Sequence, residues 1–142
     1  MTNEQRATLF SIRKALDSYV EKISENVSEV NSNISIIRMW KPGIYKVGDV
    51  RGFEGIPYKC CQAHDSTMNP DWTPFLTPAL WIQYHGTSKE TARPWLAPTG
   101  AHDMYHVDEY MIWTDGAVWR CIQDTVYSPV DYSSAWEKCE LE

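Results

Sequence analysis

What the sequence lacks narrows the possibilities first. No stretch approaches the ~18 consecutive apolar residues that a membrane-crossing helix needs, so membrane insertion is not expected. The N-terminus has no basic segment leading into an apolar run, and a secretion signal is not expected either. Positive charge is scarce: 13 Lys and Arg stand against 19 Asp and Glu, a formal net charge of −6. A polyanion would be repelled, so nucleic acid is not an expected partner.

Cysteine is present four times, as Cys60, Cys61, Cys121 and Cys139, without any C-x-x-C spacing. That excludes the usual disulfide framework and thiolate metal site. Adjacent Cys60 and Cys61 on a strand would point to opposite faces, and the four are read as small hydrophobes. Catalytic signatures are missing as well: there is no G-x-S-x-G, no H-E-x-x-H and no phosphate loop, and no recurring carboxylate pair suits glycoside hydrolysis. The His102-Asp103-x-x-His106 cluster matches no zinc spacing and is expected to be structural or solvent-facing. The reading is a non-enzyme with no catalytic residue, no metal and no cofactor.

What is abundant is aromatic: seven Trp and eight Tyr in 142 residues. Such rings offer rigid, amphipathic surface for a core, a ligand platform or both.

Between Glu4 and Arg38 there is neither Gly nor Pro. Leu9, Leu16, Ile23, Val30 and Ile37 recur every seventh residue, and Ile12, Tyr19, Asn26 and Asn33 form a second row three residues later. This is the a and d pattern of a coiled coil. Apolar Val20, Val27 and Ile34 widen the face beyond a dimer seam, and Asn at d can fix register and strand number. One helix of about 33 residues would span roughly 50 Å, more than a small β module can cover. The expectation is a parallel homotrimer joined through Leu9, Ile12, Leu16, Tyr19, Ile23, Asn26, Val30, Asn33 and Ile37.

After Met39 the chain changes character, with short β-like runs broken by Gly, Pro, Asp and Asn. Laid on itself, this part repeats. Tyr45 matches Tyr105, Gly55 matches Gly116, Tyr58 matches Trp119, Cys60 matches Cys121, and Trp81 matches Trp136. Each copy reads as a strand, a Gly turn and a return strand, then a Pro-containing loop and a closing Trp. The fold class expected is α+β, mainly β: a long N-terminal coiled-coil helix (1–39) followed by two small antiparallel β modules (40–86 and 87–142).

The pattern W…Y…G-D-x-V…G-x-x-Y/W-x-C…P…W resembles the carbohydrate-binding modules of families 5 and 12, the small chitin-binding type. It is also similar to related modules in bacteriophage tail and fibre proteins, where a run like Pro98-Thr-Gly-Ala-His-Asp-Met-Tyr105 leads into the hairpin and one like Tyr127-Ser-Pro129 precedes the closing Trp. The resemblance covers about 100 of the 142 residues. Copy 2 departs from it with Asp108-Glu109 in place of Gly48-Asp49, copy 1 carries a longer loop, and the adjacent Trp pair of many chitin binders is absent.

Sugar rings stack on aromatic faces while polar groups bond their hydroxyls, which calls for exposed rings on loops. The rings matched between copies are read as core. The loop-borne aromatics Trp72, Phe75, Trp113, Tyr127 and Tyr132 are the ligand candidates, with Asp71, Asp131 and Gln123 for hydroxyl hydrogen bonds. Combined with a trimer-forming helix, the resemblance implies a bacteriophage virion protein, an accessory fibre or tail-tip (baseplate) component. It would be made in the bacterial cytoplasm, released by lysis, joined to other virion proteins, and would bind host cell-wall or surface glycan. The alternatives are an adaptor or capsid-decorating fibre without sugar affinity, and a targeting module of a chitinase or lysin.

Overall fold

The computed structural model describes residues 1–140. The chain forms one long N-terminal helix followed by small, mainly antiparallel sheets, an α+β architecture. It divides into two compact units, Met1–Ile82 and Gln83–Glu142; the last two residues of the second lie outside the described residues.

Helix α1 spans Asn3–Ile23, capped by Thr2, whose side chain accepts from the Gln5 amide while Gln5 reaches back to the Thr2 amide. The single helix expected to run to Arg38 is not formed. Asn26 instead caps a second, short helix, α2 (Val27–Ser32), its side chain accepting from the Glu29 amide at 3.0 Å, and a 3₁₀ turn follows at Ile34–Ile36. The cause is local. Residues 24–35 are dense in Ser and Asn, which bond nearby backbone and favour caps over helix interiors. The seven-residue rows of the sequence therefore split. Val30 (0% exposed) and Ile37 (5%) are buried inside the first unit, Asn26 and Asn33 flank α2, and Leu9, Ile12 and Tyr19 of α1 remain exposed. Asn26, Val30, Asn33 and Ile37 are thus not on one helical seam with Leu9–Ile23.

The segment after α2 returns against α1. Arg13 donates to the Ile36 carbonyl and to Asp17 (2.7 Å), and Arg38 donates to the other Asp17 oxygen at 2.9 Å. Burial raises the Asp17 pKa, but the bonds and charges of Arg38 and Arg13 outweigh it and hold the carboxyl below its ordinary value.

In the first unit the strands are β1 (Ile44–Tyr45), β2 (Val50–Phe53), β3 (Ile56–Cys60), β4 (His64–Asp65) and β5 (Trp81–Gln83). β1 pairs with β4, and β2, β3 and β5 form a three-stranded sheet in that order. Glu54 (φ 51°) and Gly55 (φ 79°) make the two-residue turn between β2 and β3, both in the left-handed region that such hairpin turns demand. The second unit holds β6 (Arg93–Pro94), β7 (Tyr110–Ile112), β8 (Val118–Cys121) and β9 (Trp136–Lys138), one sheet in chain order with only the short β6–β7 ladder parallel.

Several contacts of the first unit recur in the second, though Trp136 Nε1 donates to the Tyr127 carbonyl while the matching Trp81 Nε1 is buried without a partner among the described residues. The Tyr45 and Tyr105 hydroxyls each accept a backbone amide, from Lys41 and Leu96, both at 3.2 Å. Each ring lies edge-to-face on the closing Trp, 4.9 Å from Trp81 and 5.2 Å from Trp136. The Cys60 and Cys121 thiols donate to the Gln62 and Gln123 carbonyls. Gly48 (φ 97°) and Asp108 (φ 69°) occupy one left-handed position, which Asp tolerates better than most residues; Asp108 also pairs with Arg120 at 2.7 Å. Asp49 and Glu109 accept the amides of Lys46 and His106 respectively, and the longer Glu109 also meets buried His85 at 2.8 Å. His85 in turn stacks on Tyr105 at 3.8 Å. The cores are Tyr45, Tyr58, Cys60 and Trp81 in the first unit and Tyr105, Met111, Cys121, Ala135 and Trp136 in the second.

Two outcomes follow from these contacts. Asn26→Ala removes the α2 cap and lowers stability by about 1 kcal/mol in urea denaturation. Burial pushes the Tyr105 hydroxyl from 10.0 up to about 12. Between those values the unfolded chain has released this proton and the folded chain has not, so the tyrosine's contribution is complete below pH ~10 and falls as pH rises. The total loss is about 2–3 kcal/mol; in Tyr105→Phe, denaturation curves lack this alkaline slope.

Candidate functional site

Each unit ends in a loop that carries exposed rings over buried anchors. In the first, Ser66 is fully buried and ties the loop to Gly43, giving its amide to the Gly43 carbonyl and receiving the Gly43 amide on its hydroxyl. The Asn69 amide then closes on Ser66 and the Trp72 amide on Asn69 (2.8 and 3.0 Å). Pro74 is fully buried, and Thr77 donates to the Thr73 carbonyl at 2.7 Å before the chain reaches Trp81. Around this fixed frame Trp72 is 38% and Phe75 55% exposed, beside exposed Asp71 and Leu76. Trp72 is the one exposed tryptophan among the described residues.

In the second unit Thr125 exchanges two backbone bonds with Tyr105 and accepts the Tyr127 amide on its hydroxyl. Pro129 is buried, the Tyr132 amide bonds the Ser128 carbonyl at 2.8 Å, and the Asp131 amide bonds the Ser128 hydroxyl. Trp136 Nε1 donates to the Tyr127 carbonyl at 2.9 Å. Tyr127 is 56% exposed, and its ring meets that of half-buried Tyr132 at 6.5 Å with an interplanar angle of 61°. Tyr132 donates to Gln123 Oε1 at 3.3 Å.

These loops run in register up to the closing Trp, so Trp72-Thr73-Pro74 corresponds to Tyr127-Ser128-Pro129 and Thr77 to Tyr132. Sequence reading took Trp72 and Tyr127 only as loop aromatics and missed that they are counterparts. The signal was available in the aromatic-Ser/Thr-Pro triplet at equal distance from Trp81 and Trp136, hidden by the insertion ahead of Trp72.

The remaining candidates separate. Trp113 sits edge-to-face on Trp95 at 5.7 Å, as Phe53 sits on Trp40 at 6.0 Å, and both form part of a core margin. No ring contact joins Trp113 to Tyr127 or Tyr132 among the described residues. Asp71 and Asp131 are exposed on the two loops. In the His102-Asp103 segment, Asp103 accepts from the Thr99 amide and hydroxyl and the Gly100 amide. Burial pushes its pKa up, but these bonds prevail and hold it below the ordinary range. His106 pairs with Asp124 at 3.2 Å. No cluster of three or more His, Cys, Asp or Glu side chains is arranged to hold a metal among the described residues. Chemically the two loops offer apolar rings with flanking hydrogen-bond groups, a surface for a neutral, partly apolar ligand.

Residues 39–82 match the family model described as carbohydrate-binding module family 5/12. Among solved structures, the crystal structure of a family GH18 chitinase from Chromobacterium violaceum is 31% identical over 43% of this chain, with a TM-score of 0.32. The match spans 16% of that chain's length. No curated protein matches.

The two classes of ring differ in what their removal does. Trp72→Ala leaves urea-denaturation stability within about 0.5 kcal/mol of wild type, whereas Trp81→Ala, at 2% exposure, loses about 3–5 kcal/mol.

Proposed function

We propose that this chain is a non-enzymatic binder of neutral polysaccharide, with residues 39–82 as a carbohydrate-binding module and Trp72 and Phe75 as its contact rings. The observation that carries this reading is the family match over a segment whose one exposed tryptophan stands on a clamped loop. A loop whose backbone is held through Ser66, Pro74 and Thr77 loses little freedom when its rings meet a sugar face, and preorganisation of this kind favours binding.

The wider proposal is a bacteriophage virion protein, an accessory fibre or tail-tip component, that attaches to host cell-surface glycan. The resemblance of both copies to modules of tail and fibre proteins supports it. The apolar row Leu9, Ile12, Leu16 and Tyr19 on α1, exposed or half-buried, supports assembly with two further copies. Tandem modules on three chains would present six sites, and linked weak sites raise avidity by roughly 10²–10⁴. The competing readings are an adaptor that only docks other virion proteins and a targeting module of a chitinase or lysin.

Retention on insoluble chitin and on bacterial cell-wall polysaccharide tests the proposal. Wild type is retained, and Trp72→Ala weakens retention about tenfold, the scale of losing one central aromatic contact. Passage of the wild type through every wall and glycan matrix overturns sugar binding in favour of the adaptor. Solution mass then separates assembly from binding: three times the 16.4 kDa chain is expected, and a monomer removes the multivalent array.

A further inference from the structure

We infer that the second unit carries a sugar site of its own, a corner made by Tyr127 and Tyr132 that receives a single neutral pyranose ring at a chain end or branch. The inference rests on the carbohydrate-binding reading but concerns residues outside 39–82, the span matched by the family model.

Geometry separates a corner from a platform. Rings inclined by 61° with centroids 6.5 Å apart cannot both lie flat beneath one extended chain face. They meet edge to face, with Tyr127 56% exposed and Tyr132 half-buried beside it, so a ligand ring stacked on Tyr127 would lie next to the Tyr132 side chain. The polar groups are adjacent: Tyr132 Oη donates to Gln123 Oε1 at 3.3 Å, which leaves the Tyr132 oxygen lone pairs and the exposed Gln123 side-chain N–H groups for a ring hydroxyl.

The backbone behind both rings is held. The Tyr127 carbonyl is held by Trp136 Nε1, its amide by the Thr125 hydroxyl, and the Tyr132 amide by Ser128, with buried Pro129 between them. A site braced through its own backbone pays little ordering entropy when a small ligand enters. The first unit lacks this corner. Thr77 stands where Tyr132 stands, and its hydroxyl is turned to the Thr73 carbonyl. The two loops therefore select differently, the first presenting Trp72 and Phe75 without a ring at the Tyr132 position.

The test uses the full chain and two-dimensional NMR titration with glucose, galactose and N-acetylglucosamine and with the soluble β-linked tetramer of each. At least one monosaccharide shifts the amides of Gln123–Tyr132, and its tetramer binds within about threefold of it, because one ring fills the corner. Tyr132→Thr, which copies the first unit, weakens that binding about tenfold or more. Tyr132→Phe keeps the packing and loses the hydroxyl, and Gln123→Ala leaves the core untouched; both weaken binding severalfold while the melting temperature holds. Tyr132→Thr leaves the Trp72 site intact and lowers retention on insoluble chitin less than Trp72→Ala does, whereas Trp72→Ala weakens retention about tenfold and keeps the soluble-sugar shifts, so the two sites fail separately. Three results overturn the corner: no sugar shifts these amides, Tyr132→Phe and Gln123→Ala bind as wild type, or the tetramer binds more than tenfold tighter than its monomer.

Discussion

A tyrosine laid edge-on against a tryptophan fixes almost everything else in each unit. Tyr45 on Trp81 and Tyr105 on Trp136 bring the chain ahead of each hairpin to the closing strand. The tyrosine hydroxyl accepts an amide from earlier in the same unit, Lys41 for Tyr45 and Leu96 for Tyr105. Sheets this small bury little apolar surface, and large rings supply a core that aliphatic residues could not fill. The hairpin, the proline loop and the exposed rings take their positions from that joint. Moving the tryptophan would move the loop that precedes it, because the Tyr127 carbonyl is bonded to the Trp136 indole itself.

The second unit departs from the first where its chemistry was altered and its geometry kept. Asp108 replaces Gly48 at a left-handed position, and Glu109 replaces Asp49 at the bond that closes the same turn. The extra methylene of Glu109 lets it reach His85, which lies flat on Tyr105. A ring that Trp95 also stacks against at 5.1 Å is thus sandwiched between two planar groups. This buried pair has no signature in the local sequence, since His85 and Glu109 meet only through the fold.

Legibility followed the range of the interactions. The hairpins were readable because Gly55 and Gly116 mark turns that few other residues can make, and most core rings because matched aromatics at matched spacing are hard to place elsewhere. Trp119 is the exception, half-buried at the margin of a core in which Met111 is fully buried. The helix was misjudged at Asn26. A seven-residue period records which positions are apolar, not whether the backbone between them stays helical, and the Ser- and Asn-rich stretch ends the helix before the row ends. Val30 and Ile37 kept the pattern because they face their own unit. In the loops, Trp72 and Tyr127 went unpaired because an insertion lies between the hairpin and Trp72, and alignment from the hairpin side loses the register that alignment from Trp81 and Trp136 restores.

The two core cysteines carry a consequence for the chemistry of sulfur in this fold. Burial pushes the Cys60 thiol up and the Cys121 thiol to about 11, and each is already donating to the carbonyl two residues on. Held as neutral thiols, they present almost no thiolate to an oxidant or a disulfide partner. The two cores are packed with Cys60 and Cys121 as free thiols. The tyrosine–tryptophan joints thus sit beside thiols that are insulated from exchange chemistry, and their packing asks nothing of the sulfur beyond its volume and one hydrogen bond.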